Sequence, residues 1–247
     1  MSSRSSSDAA PGIFPDTRWS VVLAAKQQQS PETAAALETL CQVYWYPLYA
    51  FVRSSGHPAH DAQDLTQEFF ARLLSREWLR SVDPEKGRFR TFLRVILKRF
   101  LADEWDRARA QKRGGGKTHL AFDTQLAEQW FLGERGNGET PDGLYERRWA
   151  LALLDEAGRR LEREYSQAGK NDELKHLKPH LTAERGTIPY AEIAAAMHTS
   201  EGAARVAVHR LRKRFREIFR ETIADTVSEP GDLELEIRHV LRMLSSG

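Results

Sequence analysis

The 247-residue chain has few of the features that mark secreted, membrane or metal-binding proteins. Cysteine occurs once, at Cys41, which excludes an internal disulfide and a cysteine-based metal site. No run of about 18 apolar residues occurs, so no membrane-spanning helix is predicted. The Ser-rich N-terminus lacks the apolar core of a signal peptide. We therefore expect a cytoplasmic protein without membrane contact.

Residue patterns for catalysis are also missing. The eight histidines are scattered without metal-ligand spacing, and no serine, cysteine or histidine arrangement indicates nucleophilic catalysis. Residues 114–118, GGGKT, are similar to the end of a phosphate-binding loop, but Gln111 stands where that motif requires glycine. A basic helical segment also precedes them instead of a strand. We predict no enzymatic activity and no cofactor.

The net charge of +2 hides an uneven distribution along the chain. Residues 86–113 carry about +7 and residues 205–220 about +6, so the remainder is near −11. Two basic blocks in an otherwise acidic chain indicate two separate contacts with a polyanion such as nucleic acid. Two solvated helix faces are the alternative interpretation.

Strand signals are almost absent, and apolar residues recur at helical spacing, which predicts an all-α fold. A short helix is expected after Asp16, and a longer one from Pro31 with Pro47 inside it. The glycine-rich region 114–143 is predicted to be a flexible linker with one short helix, and residues 166–187 are polar and irregular. The predicted division is a disordered tail (1–15), a helical domain (16–113), the linker (114–143), a second helical domain (144–225) and a C-terminal helical extension (226–247).

Residues 189–216, PYAEIAAAMHTSEGAARVAVHRLRKRFR, have the pattern of a helix-turn-helix. The turn falls at His198-Thr199, and Ser200 is a natural N-cap for the second helix. A basic outer face on that helix suits the major groove of DNA, although a helical hairpin with a solvated basic face is the alternative. The residues expected to face inward are Ala204, Val208, Leu211 and Phe215, and those expected to face outward are Arg205, His209, Arg212, Lys213 and Arg216.

This segment resembles region 4.2 of bacterial RNA polymerase sigma factors, whose usual form is SYEEIAEILGISVGTVKSRLHRARKRLR. His198 stands where the turn glycine is usual, and histidine tolerates a positive φ better than most residues. The resemblance implies that this helix reads the −35 promoter element. The residues implied in that contact are Ser200, Glu201, Arg205, His209, Arg210 and Lys213.

Residues 61–74, DAQDLTQEFFARLL, resemble sigma region 2.2, commonly DAEDLVQEVFLRLW. From the helix alone, its charges indicate a solvated face with favourable charge pairs. The resemblance instead implies a docking face for the clamp coiled coil of the polymerase β′ subunit. The residues of this face are Asp61, Asp64, Gln67, Glu68 and Arg72.

Residues 88–109, RFRTFLRVILKRFLADEWDRAR, resemble sigma regions 2.3 and 2.4. Interleaved basic and aromatic residues suit melted, single-stranded DNA. Trp105 has two interpretations, a core anchor or a stacking surface for a base. The residues expected to contact the −10 element are Arg90, Arg94, Lys98, Arg99, Trp105 and Arg107.

Together these resemblances, over residues 33–113 and 145–220, imply a compact sigma factor of the sigma-70 family and its extracytoplasmic-function (ECF) subfamily. Its expected partners are core RNA polymerase, through the β′ coiled coil and the β flap, and promoter DNA. An anti-sigma factor or another regulator is a further candidate. The charged stretch 162–185 departs from the family pattern, which weakens the flap assignment. The free protein is expected to be monomeric, whereas the rival interpretation, a stand-alone helix-turn-helix regulator, predicts a dimer. A nucleic-acid-processing enzyme is a second rival, but the chain lacks the metal or nucleophile constellation it needs.

Overall fold

A computed structural model of the chain describes residues 31–73, 88–110, 124–133, 139–184, 186–227 and 229–245. These residues form α-helices and turns, and no strand occurs among them, so the predicted all-α class is confirmed for this part of the chain. The predicted N-terminal tail, the expected helix after Asp16 and much of the predicted linker lie outside the described residues.

Nine α-helices follow one another along the described residues. Two short 3-10 helices, Lys178–His180 and Pro230–Asp232, lie between α-helices. The helices are α1 (Pro31–Ser54), α2 (Ala59–Leu73), α3 (Phe89–Ala110), α4 (Thr124–Gly133), α5 (Pro141–Gln167), α6 (Asn171–Leu177), α7 (Tyr190–Ala196), α8 (Glu201–Ala224) and α9 (Leu233–Ser245).

The first three helices surround an aromatic core. Helix α1 continues through Pro47 and ends before Gly56, whose φ of 101° makes the turn into α2. Phe89 of α3 meets Tyr44 of α1 edge-on, with ring centroids 5.5 Å apart. Apolar positions recur at three- and four-residue steps on each helix, so each buries one stripe. The side chains buried in this core include Tyr44, Leu48, Phe69, Phe70, Phe89, Leu93, Leu97 and Phe100.

Helix α5 is the longest described element, with 27 residues, and it takes part in two cores. Pro141 occupies its first turn, and the hydroxyl of Thr140 accepts a hydrogen bond from the Gly143 amide at 3.2 Å, which caps the helix start. Its first half buries Trp149 and Leu153 in the core of α1–α3, and its second half belongs to another cluster. The division of the chain into two tethered domains stays a prediction.

The second core lies between α5, α6, α7 and α8. Its buried side chains include Leu161, Ile193, Val208 and Leu211. The stretch predicted to be irregular after residue 166 contains α6, which the sequence patterns had not indicated. Only Leu174 and Leu177 mark its buried side, three residues apart in a charged segment, and so short a stripe gives a weak periodic signal.

Candidate nucleic-acid interface

Helices α7 and α8 form the predicted helix-turn-helix. Ile193 and Ala194 of α7 are buried in the same cluster as Ala204 and Val208 of α8. His198 has a φ of 51°, in the left-handed region, as the turn requires.

The cap that begins α8 is also as predicted. The Ser200 hydroxyl accepts a hydrogen bond from the Ala203 amide at 3.2 Å, so it satisfies one of the free amides at the helix start. The sequence prediction of both the turn and the cap is confirmed.

The N-terminal half of α8 presents an exposed, mainly basic surface. The guanidinium of Arg205 lies 4.5 Å from the ring centroid of Tyr190, which holds this side chain at the edge of the helix pair. Val206 is 47% exposed among the cations, and the sequence patterns had not indicated it as a contact residue. An aliphatic group there suits the methyl group of thymine in the major groove. The six predicted −35 residues, Ser200, Glu201, Arg205, His209, Arg210 and Lys213, are all exposed along this surface.

Two arginines of α8 have structural contacts instead. Arg212 was expected to face outward, but it is half-buried and donates hydrogen bonds to the carbonyl oxygens of His180 and Ala183. The Nη2 of Arg214 lies 2.5 Å from a carboxylate oxygen of Glu164 on α5. Arg212 is therefore corrected from a surface cation to a residue that holds the segment before α7 against α8.

The charged face of α2 is partly exposed. The carboxylate of Asp61 lies 3.5 Å and that of Asp64 3.6 Å from Nδ1 of His60. The carboxylate of Glu68 lies 2.8 Å from Nε of Arg72. Arg72 also reaches Glu104 of α3 at 2.9 Å. Of the five predicted docking residues, these four lie together.

Gln67 is the exception among the predicted docking residues. It is 5% exposed and lies on the buried side of α2. Positions 64, 67 and 68 share part of a helix turn, and spacing alone did not show that the core extends as far as position 67. The structure therefore corrects its place from the outer face to the interior.

Arg90, Arg94 and Lys98 form a basic row along α3, and the N-terminal end of this row is covered by other residues. Arg90 is 4% exposed, and its Nε lies 2.8 Å from Glu146 of α5. Arg94 lies 3.1 Å from the same carboxylate, and Lys98 lies 2.9 Å from Asp142. The spacing of four residues puts the three cations in one row, as the sequence indicates. The acids that meet them are more than 40 positions away, so a local pattern could not predict the pairing.

Burial lowers the pKa of Arg90, and the carboxylate of Glu146 acts in the opposite direction. Its guanidinium also lies 4.4 Å from the ring centroid of Trp149. The predicted −10 contact of Arg90 is therefore inaccessible in this arrangement.

The C-terminal half of α3 is open. Trp105 is 62% exposed, so the interpretation as a core anchor is wrong. Lys98 and Trp105 line an open groove of about 650 Å³ together with Phe51 and His57. Arg99 is exposed beside them, and the side chain of Arg107 lies outside the described part. This half of α3 offers cations and a flat aromatic ring to a ligand.

Neither a metal site nor a membrane span is found among these residues. In the part of the chain that the structure describes, no group of three His, Cys, Asp or Glu side chains could hold a metal ion. No described helix is both long and apolar enough to cross a membrane.

Comparison with known families gives a match for the segment that runs from α1 to α3. The family model of sigma-70 region 2 matches residues 44–111, just over a quarter of the chain, from the middle of α1 to the end of α3. No curated protein and no solved structure matches the chain. The chain thus carries a region similar to that of sigma-70 factors, which are non-enzymatic transcription proteins.

Proposed function

We propose that this protein is a compact sigma factor of the ECF type, which binds core RNA polymerase, recognises promoters and holds the opened DNA. The observation that carries the proposal is the presence of two elements in one chain. One is the region 2 match over residues 44–111. The other is a helix-turn-helix whose second helix carries exposed cations from Arg205 onward. A promoter has two recognition elements, the −10 and the −35 element. In this proposal region 2 contacts the first and the helix-turn-helix contacts the second.

The outer face of α2 is the proposed dock for the β′ clamp coiled coil. Asp61, Asp64 and Glu68 bring three carboxylates to this face, and Arg72 adds one cation. The ion pair from Arg72 to Glu104 holds the end of α2 against α3, and the pair from Arg72 to Glu68 lies within α2. Gln67 then supports the face from the buried side rather than contacting polymerase.

The open half of α3 is the proposed contact with the melted −10 element. Lys98 and Arg99 are placed to follow the phosphate backbone, and Trp105 offers a ring on which a base can stack. Base stacking on an aromatic side chain contributes about 1–3 kcal/mol per base. Arg90 joins this surface only when its ion pair to α9 opens, and Arg94 only when its ion pairs to α5 open.

The N-terminal half of α8 is the proposed reader of the −35 duplex. In a helix-turn-helix, residues at the start of the second helix meet base edges and later residues grip phosphates. Arg205, Val206 and His209 are therefore assigned to bases, and Arg210 and Lys213 to the backbone. The groove of about 310 Å³ beside Tyr190 adds Arg216 to the basic surface.

Neither DNA contact needs to be tight by itself. Once one unit is bound through polymerase, the second contact becomes effectively intramolecular. We therefore propose a cytoplasmic protein that is monomeric when free, binds promoter DNA weakly without polymerase, and is open to control by an anti-sigma factor or another regulator.

The test is in vitro transcription with purified core polymerase, with and without the protein, on a library of candidate promoters. Discrete start sites that depend on the protein are expected. If the folded protein gives no start sites and does not bind core polymerase, but binds duplex DNA tightly as a dimer, it is a stand-alone helix-turn-helix regulator and the proposal is wrong.

A further inference from the structure

A carboxylate of the C-terminal helix lies buried on the first basic residues of α3. Glu236 of α9 is fully buried. One of its oxygens lies 3.0 Å from the guanidinium of Arg88, and the other is paired with Arg90. Arg88 directly precedes α3, and Arg90 lies in its first turn. Helix α3 is the helix to which we assign the −10 contact. A helix from the far end of the chain thus occupies part of the proposed DNA surface.

A second residue of α9 strengthens this cover. Nε2 of His239 lies 3.0 Å from a carboxylate oxygen of Glu146, the other partner of Arg90. The ring of His239 also lies 6.4 Å from that of Trp149, on which Arg90 is stacked. Helix α9 therefore contacts Arg90 and two of its partners on α5, Glu146 and Trp149.

Helix α9 contributes few fully buried side chains to this core. Of its 13 residues only Glu236 and Val240 are buried, and Leu235 and Leu241 are more than half exposed. Four apolar side chains pack on the core while partly exposed: Leu233, Ile237, Met243 and Leu244. A buried ion pair is a poor source of stability, because the cost of removing both charges from water offsets their attraction. An apolar residue at position 236 would hold α9 more firmly. A carboxylate there is instead exchangeable for another anion.

We propose that α9 is an autoinhibitory strap, in which the Glu236 carboxylate takes the place of a phosphate group of single-stranded DNA. Helix α9 must leave before Arg88 and the Nη1 of Arg90 contact the −10 strand, while the Nε of Arg90 keeps its ion pair with Glu146 of α5. This inference rests on the proposed function, since it concerns the regulation of the same DNA surface. Helix α5 stays in place when α9 leaves, because Trp149 and Leu153 anchor it in the core.

The fraction of molecules in which α9 has left the surface of α3 determines how strongly the strap weakens DNA binding. A binding-competent fraction of about one tenth weakens the apparent affinity about tenfold. The variant Glu236→Gln keeps the shape of the side chain and removes its charge. Glu234→Gln is the matched control, because Glu234 lies two residues away and pairs with Arg220 on the exposed side of α9.

The first test measures fluorescence anisotropy of a labelled single-stranded oligonucleotide with each full-length variant. We expect Glu236→Gln to bind up to about tenfold more tightly than the unsubstituted protein, and Glu234→Gln to bind equally. Adding Arg90→Gln to Glu236→Gln should remove most of the gain. Equal affinities for Glu236→Gln and the unsubstituted protein, with both folded, would overturn the proposal.

The second test needs no substitution and decides the question if Glu236→Gln does not fold. Hydrogen exchange is followed for the amides of α9 in the free protein and in its complex with core polymerase and promoter DNA. Faster exchange in α9 on forming the complex is expected, while the α5 amides stay protected. Unchanged protection of α9 in a complex that initiates transcription would show that the strap does not open.

Transcription with core polymerase separates the two possible failures. Protein-dependent start sites with unchanged α9 protection would refute the strap and leave the sigma assignment standing. A gain of oligonucleotide binding in Glu236→Gln without any start sites or core binding would support the strap and refute the sigma assignment.

Discussion

The guanidinium of Arg212 in α8 donates hydrogen bonds to the carbonyl oxygen of His180 from Nη2 at 2.7 Å and from Nε at 3.0 Å. The neighbouring Lys213 is exposed and lies 3.9 Å from Glu217. Two adjacent cations that look equivalent in the sequence therefore differ, since Arg212 is held within the fold and Lys213 lies on the proposed DNA surface.

The variants Arg212→Ala and Lys213→Ala should separate these roles. Loss of Arg212 leaves carbonyl groups without their donor, so we expect a loss of about 1–3 kcal/mol in the free energy of unfolding, measured by urea denaturation. Lys213→Ala should leave stability unchanged and reduce the slope of log affinity against log salt by about 1 for −35 duplex DNA. A stability loss in Lys213→Ala and none in Arg212→Ala would contradict the assignment.

Arg205→Ala and Arg210→Ala should each reduce promoter-specific transcription in vitro while core binding stays intact. Both side chains are exposed on α8, so their loss removes DNA contacts without opening a core. The base contact proposed for Arg205 is worth about 1–3 kcal/mol, or roughly ten- to hundredfold in promoter affinity, and loss of the phosphate contact proposed for Arg210 should weaken binding uniformly across sequences. Lys170→Ala is the control, an exposed cation between α5 and α6. Loss of core binding in either variant would place the residue on the polymerase interface.

Asp64→Ala combined with Glu68→Ala should weaken the binding of core polymerase in a pull-down assay. The two carboxylates lie one turn apart on the proposed docking face of α2. Arg72 keeps its ion pair with Glu104 in this variant, so α2 stays joined to α3. Asp172→Ala, an exposed acid in the first turn of α6, should bind as the unsubstituted protein does. Equal core binding by all three proteins would show that the docking face lies elsewhere.

The turn of the helix-turn-helix should respond in opposite directions to two substitutions. His198→Gly relieves the strain of a left-handed φ and is expected to stabilise the protein by about 0.5–1 kcal/mol, less the entropy that glycine adds to the unfolded chain. Ser200→Ala removes the cap of α8 and should destabilise it by about 1 kcal/mol. Thermal unfolding monitored by circular dichroism measures both, and a lower melting temperature for His198→Gly would mean that the histidine side chain contributes a contact of its own.

Glu156 links stability to pH. Burial raises the pKa of this carboxyl, but the Arg159 hydrogen bond and the charges of Arg163 and Arg160 outweigh it and lower the pKa below the ordinary 4.5. A depressed pKa stabilises the fold above the unfolded-state value, and that stability is lost as the pH falls through the folded-state value. Glu156→Gln should therefore have a lower free energy of unfolding than the unsubstituted protein near pH 7. The difference in free energy between the two proteins should narrow below about pH 4. Urea denaturation at both pH values measures the difference, and a constant difference would exclude the linkage.

Several elements could be predicted from the sequence because their causes are local. Helix α3, Phe89–Ala110, covers the segment of interleaved basic and aromatic residues that the sequence marks at 88–109. The turn at His198 and the cap at Ser200 depend on the φ preference of one residue and the hydroxyl of another, and both were confirmed. Helix α6 was missed since its buried side consists of two leucines in a charged segment.

The sequence by itself determined the helical class, the helix-turn-helix and the exposed basic half of α8, because helix periodicity and capping act between residues that are at most a few positions apart. Only the tertiary structure decided which cations stay accessible. Arg90 and Lys98 share one row of α3, yet Arg90 is covered by Glu146 and Glu236 while Lys98 is half exposed. A charged side chain is exposed or covered according to what packs against it, and the carboxylates that cover Arg90 come from helices more than 40 and more than 140 positions away.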